Sequence, residues 1–114
     1  MKMKLIASLI IAGAGAVVCT APLHAAVDAS AAQALAKKSG CMKCHAIDKP
    51  KKGSAFQKTA AKYKGKADAE ARVTDSITKA PKVKFEDGTE EEHKVVDSKD
   101  AKEIKNLVQW ILAQ

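Results

Sequence analysis

Aromatic side chains are scarce in this chain: one Trp, one Tyr and two Phe, 4% of 114 residues. Arginine is scarcer still, with Arg72 alone among the basic residues. No internal repeat and no low-complexity tract is present, and only the first segment carries a long apolar run, which excludes a polytopic membrane protein. With 46% hydrophobic and 29% charged residues, the composition is that of an ordinary globular protein rather than a disordered or collagen-like one. The length allows one small domain.

The apolar run is itself a processing signal. Lys2 and Lys4 precede about 14 apolar or small residues from Leu5 to Val18, and small residues close the segment at Ala25 and Ala26. This is the order of a secretory signal peptide, and the run is short of the roughly 20 residues a spanning helix needs. Residues 1–26 are read as the leader, cleaved near Ala25 or Ala26, and residues 27–114 as the mature domain, without a membrane span. An uncleaved anchor, or a lipoprotein acylated at Cys19, is the lesser alternative; Val18 stands where a lipoprotein would carry a small residue. Removing Lys2 and Lys4 leaves 18 basic residues against 13 acidic ones, so the formal charge falls from +7 to +5. Export and the lack of Arg and aromatics together argue against nucleic acid as a partner.

The remaining domain is short of large apolar groups. Domains this small often depend on a disulfide, a metal or a partner to complete the core. Four helices are legible. The first runs from about Ala29 to Ser39, with Asp28 as N-cap, Ala32, Leu35 and Ala36 on one face, and Gly40 just beyond. The second spans about Ser54 to Lys64 and ends at Gly65. The third opens at Asp68, spaces Val73 and Ile77 four apart, and ends at Pro81. The last, about Lys99 to Ala113, carries Ala101, Ile104, Leu107, Val108, Ile111 and Leu112 with helical period, capped by Asp97 or Ser98, with Trp110 on its flank at a helix crossing. Between the third and fourth helices an irregular loop is expected. A short hairpin about the turn signal Asp87-Gly88 is the alternative, since Val83 and Phe85 alternate with charged residues.

Chemistry concentrates in Cys41-Met42-Lys43-Cys44-His45, a C-x-x-C-H sequence in an exported chain, which reads as a c-type haem attachment site. Two thiols three positions apart can each add to one vinyl group of a single haem, and the next residue then presents an imidazole to the iron. Competing readings are weaker. A structural zinc site needs four ligands, and the mature chain has no other Cys and one other His. A thioredoxin-like pair belongs in a βαβ setting, and a plain disulfide leaves His45 without a role and predicts a colourless protein.

The sequence resembles the class I mono-haem c-type cytochromes, especially the small bacterial members. The likeness runs from Ala31 through the haem motif to Phe56 and resumes at Leu107-Val-Gln-Trp-Ile-Leu112, the family's closing helix. It implies an all-α fold, about four helices around one covalently attached haem c, with the N- and C-terminal helices crossing. A buried porphyrin would then supply the missing core. Two departures stand out. The family's Gly-Pro after the motif reads Gly53-Ser54; the resemblance implies that the Ser54 carbonyl accepts the Nδ1–H of His45, without the rigidity of Pro. The family's distal Met is missing: Met42, the only Met outside the leader, lies inside the attachment loop on the proximal side.

His93, 48 residues after His45, falls where the family's Met would lie, and is the expected distal ligand. Lys82, Lys84, Lys94, or a vacant or water-bound position are the alternatives. Imidazole in place of Met lowers the reduction potential, and an iron filled on both axial sides leaves no place for a substrate. The expected function is a periplasmic, monomeric electron carrier serving redox proteins at a membrane or in the periplasm, not an enzyme. The alternative is a gas-binding or peroxidase-like haem protein with an open or displaceable distal ligand. Charge is segregated along the chain, with seven Lys and no acid from Lys49 to Lys66, then five acids and no base from Glu86 to Glu92. A surface that orients redox partners is the expectation. The carboxylates beside His93 form a solvated turn or docking patch; alternatively, they favour a protonated, detached His93 on reduction.

Overall fold

The computed structural model describes residues 13–18 and 26–114. Cys19 and Ala25, with most of the expected leader, lie outside the described residues. Among the described residues, no helix is long and apolar enough to cross a membrane.

Four helices form the body: α1 (Ala29–Lys38), α2 (Phe56–Tyr63), α3 (Ala69–Thr78) and α4 (Ala101–Leu112), with a single 3₁₀ turn at Cys41–Lys43. The hub is α4, against which α1, α2 and α3 each pack. Its sequence explains this role. Leu107, Val108 and Ile111 form one buried stripe, with Ile104 packed against the core at its start, and complete burial of a side chain such as Leu107 contributes about 1.5–3 kcal/mol.

The terminal helices are joined at both ends of α1. Asp28 caps α1 by accepting from the Ala31 N–H at 2.9 Å. Its own backbone N–H donates to Asn106 Oδ1 at 2.8 Å, while Asn106 Nδ2 donates back to the Asp28 carbonyl at 2.8 Å. At the other end, the buried Ser39 hydroxyl accepts from the Asp97 N–H at 2.9 Å. Gly40 follows in the left-handed region at φ 74°, a conformation that costs a residue with a Cβ. The reversal it allows turns the chain out of α1 and into Cys41.

Two expectations are corrected. The N-cap of α4 is Asp100, whose carboxylate accepts from the N–H groups of Lys102 and Glu103. The Asp97 carboxylate is ion-paired with Lys38 while its backbone N–H donates to Ser39, and the Ser98 hydroxyl donates to the Glu103 carboxylate instead. The segment after α3 is a hairpin rather than an irregular loop: β1 (Lys82–Lys84) pairs antiparallel with β2 (Glu90–Glu92), placing Lys82 opposite Glu92 and Lys84 opposite Glu90. Opposite charges across an antiparallel pair are favourable. The turn is closed by Gly88 at φ 85° and by Asp87, whose carboxylate accepts from the Thr89 N–H and hydroxyl.

Candidate haem site

The end of α1 fixes the cysteines. The 3₁₀ turn is held by the Cys44 N–H and the His45 N–H, both donating to the Cys41 carbonyl at 3.2 and 3.0 Å. Cys41 and Cys44 are half-buried free thiols. Burial pushes the Cys41 thiol up and the neighbouring Cys44 adds to this, against a backbone hydrogen bond and the nearby Lys94 ammonium, which pull it down.

The segment after the motif folds back under His45. The Gly53 N–H donates to the Cys44 carbonyl at 2.7 Å, and the Lys51 ammonium donates to the Met42 carbonyl at 2.6 Å. Gly53 then lies flat against the imidazole: a Cβ at this position would stand 2.5 Å from His45 Cε1 and 2.9 Å from Nδ1. His45 Nδ1 donates to the Ser54 carbonyl at 2.7 Å. On its other side the ring stacks on Phe56 at 5.1 Å and 19°, and Phe56 in turn meets Trp110 of α4 edge-on at 5.6 Å. The His45 imidazole is therefore held by a glycine, a carbonyl and an aromatic pair rooted in the hub helix.

His93 follows β2 directly. Its N–H donates to the Pro81 carbonyl at 2.8 Å, and its Nδ1 donates to the Lys94 carbonyl at 2.9 Å. The two imidazoles lie close together, with ring centroids 6.1 Å apart and planes tilted by 46°. Both line a cavity of about 510 Å³ whose wall is mostly apolar, with Phe56, Val73, Ile77, Val83 and Ile111. This volume is in the range of cofactor pockets. Cys41 also lines it; Cys44, Met42, Lys82, Lys84 and Lys94 do not. Met42 packs instead against the core cluster.

Among the described residues, no group of three or more His, Cys, Asp or Glu side chains could hold a metal ion unaided. The Cys41 thiol and two imidazoles on an apolar cavity, with the Cys44 thiol in the same turn as Cys41, instead fit a metal carried within an apolar macrocycle. The sequence pointed to Ser54, His45 and His93; it gave no sign of Gly53 as a floor for the ring or of Lys94 as the carbonyl partner of His93. The Lys94 contact belongs to a backbone carbonyl, which leaves no trace in residue type, and a glycine does not announce which side chain it makes room for.

The fold and this cavity define a small all-α, one-haem protein with thiol attachment. A family model described as Cytochrome c matches residues 29–114, and the chain belongs to that family. It is 33% identical over 82 residues to cytochrome c-551 of Pseudomonas aeruginosa, covering 72% of this chain and 75% of the relative. It is 35% identical over 79 residues to cytochrome c-552 of Hydrogenobacter thermophilus, covering 69% and 76%. Among solved structures it is similar to the class 1 cytochrome MtoD from Sideroxydans lithotrophicus ES-1, with 52% identity, a TM-score of 0.74, and coverage of 77% of this chain and 97% of that one. Cytochrome c552 of Nitrosomonas europaea is similar at 32% identity and a TM-score of 0.56, covering 70% and 95%. The protein is thus a class I c-type cytochrome, an electron carrier and not an enzyme, and it binds one haem c covalently, with Cys41 and Cys44 fitting the attachment motif.

Proposed function

We propose that this cytochrome is an exported, periplasmic, monomeric carrier of single electrons whose haem iron is held between His45 on the proximal side and His93 on the distal side, with Cys41 and Cys44 as the thioether links. The observation that carries this reading is the pair of imidazoles 6.1 Å apart, each with Nδ1 on a backbone carbonyl. Imidazole nitrogens bond first-row metals at about 2.0–2.1 Å, and with each ring centre about 1.1 Å behind its nitrogen, two rings sharing one metal would have centroids about 6.3 Å apart. Donation from Nδ1 leaves Nε2 of each ring with its lone pair, fixes ring orientation and raises ligand basicity.

The haem supplies a one-electron ferric/ferrous couple when bound. The chain would hold that group between His45 and His93, would line its cavity with apolar side chains that exclude water, and would leave no position at the metal free for a substrate. Two imidazoles favour a lower reduction potential than an imidazole and a Met thioether. The leader, with the cleavage point near Ala25 or Ala26, supports export of residues 27–114. The basic run from Lys49 to Lys66 supports recognition of acidic redox partners. Addition of carbon monoxide to the ferrous protein at neutral pH tests the reading: an unchanged spectrum is expected, whereas a prompt shift would favour a gas-binding or peroxidase-like protein.

A further inference from the structure

The two sides of the haem cavity are carried by different parts of the chain, the segment from Cys44 to Gly53 beneath His45 and the hairpin that delivers His93. Lys52 joins them. Its ammonium is ion-paired with the Glu91 carboxylate and lies 4.6 Å from the centre of the Phe85 ring. One side chain therefore grips both arms of the hairpin, an anion on β2 and an aromatic face just beyond β1. The placement along the chain is equally specific. Lys52 immediately precedes Gly53, whose backbone abuts the His45 ring, and Glu91 stands two residues before His93. The other ion pairs among the described residues lie elsewhere: Arg72–Asp68 and Lys79–Asp75 are one turn apart on α3, and Lys38–Asp97 joins α1 to the approach to α4. The contact also brings the basic and acidic runs of the sequence together instead of leaving them at opposite poles.

We infer that Lys52 is a positioning residue for the distal ligand: by holding Glu91 and covering Phe85 it keeps the hairpin against the proximal segment and limits how often His93 leaves its place opposite His45. This rests on the assignment of His93 as the distal ligand. An exposed ion pair is weak and a cation over an aromatic face adds modestly to it, so loss of the contact should change ligand lability by about two- to five-fold and leave the fold intact.

Cyanide mixed with the ferric holoprotein tests this, since at saturating cyanide the rate of the Soret change equals the rate at which the distal position opens. Lys52→Gln and Glu91→Gln should each raise that plateau rate about two- to five-fold at low ionic strength. The double variant should be no faster than either single one, because the two residues act as a unit. Lys52→Arg, which keeps the charge and the stacking, should restore the slow rate. Salt should accelerate the wild type toward the variants and leave Lys52→Gln unaffected, because an exposed pair is screened. Single variants with the wild-type rate, or accelerations that multiply in the double variant, would overturn the inference. His93→Ala run in parallel separates the two claims: a low-spin spectrum retained in that variant means that the ligand assignment has failed, whereas a high-spin one beside wild-type rates in Lys52→Gln means that only the role of Lys52 has.

Discussion

Gly53 occupies the position where one added methyl group meets the site most directly. Its backbone lies within contact of the His45 ring, and any Cβ there would overlap Cε1. Gly53→Ala is expected to displace the imidazole from the Ser54 carbonyl and to cost about 1–3 kcal/mol, the usual range for overpacking, read as a lower Tm together with shifted EPR g-values of the ferric haem. A wild-type EPR spectrum in that variant would contradict the close approach. The two histidines differ in how plainly the sequence discloses them. Cys41, Cys44 and His45 stand in a fixed spacing that has one strong chemical meaning, whereas His93 emerges only when residues 1–26, His24 among them, are read as a leader and Met42 is seen to lie inside the attachment motif. The carbonyls that receive the two Nδ1–H groups are a different matter. The Ser54 carbonyl could be anticipated from the family's pattern, but the Lys94 carbonyl follows from a backbone path that no residue type announces.

Helix α4 is the element most plainly written in the sequence, because its apolar residues repeat with the helical period and the three other helices need a common surface. Its start is less legible. Asp97, Ser98 and Asp100 are all competent caps, and the choice falls to Asp100 because Lys38 pairs with the Asp97 carboxylate and Ser98 turns to Glu103. Tertiary contacts thus decide between equal local propensities. Asp100→Ala should lower stability by about 0.5–2 kcal/mol in thermal unfolding of the holoprotein, while Ser98→Ala should cost less; the reverse order would return the cap to Ser98. The hairpin shows the opposite balance. Glu90, Glu91 and Glu92 are exposed and carry no strand-forming pattern, so nothing in that run alone predicts pairing. The Asp87-Gly88 turn, the opposed Lys82–Glu92 and Lys84–Glu90 pairs, and the grip of Lys52 on Glu91 supply what propensity does not.

At the scale of the whole molecule, the scarcity of aromatic residues is matched by how they are used: Phe56 and Trp110 form a relay from α4 to His45, and the apolar cavity takes the place a larger core would fill. Surface charge then adds a modest pH dependence to stability. The Arg72 guanidinium holds the Asp68 carboxyl below its ordinary range, and hydrogen bonds from Thr89 do the same for Asp87. A carboxyl lowered in the folded state contributes stability above its unfolded value, about 3.9, and loses it as pH falls through the folded one. Glu91 raises the Lys52 ammonium, so that contribution is intact below about 10.4 and is lost as pH rises beyond it. Asp68→Asn should therefore lower Tm at pH 7, with the difference from wild type closing as pH drops below about 4; a difference that is constant with pH would remove the ion pair as its cause. The proposed pairing of His93 with His45 on one iron is read out by the EPR spectrum of the ferric protein beside that of His93→Ala. A low-spin signal is expected in the wild type and a high-spin signal in the variant; a low-spin signal unchanged by the substitution would overturn the pairing.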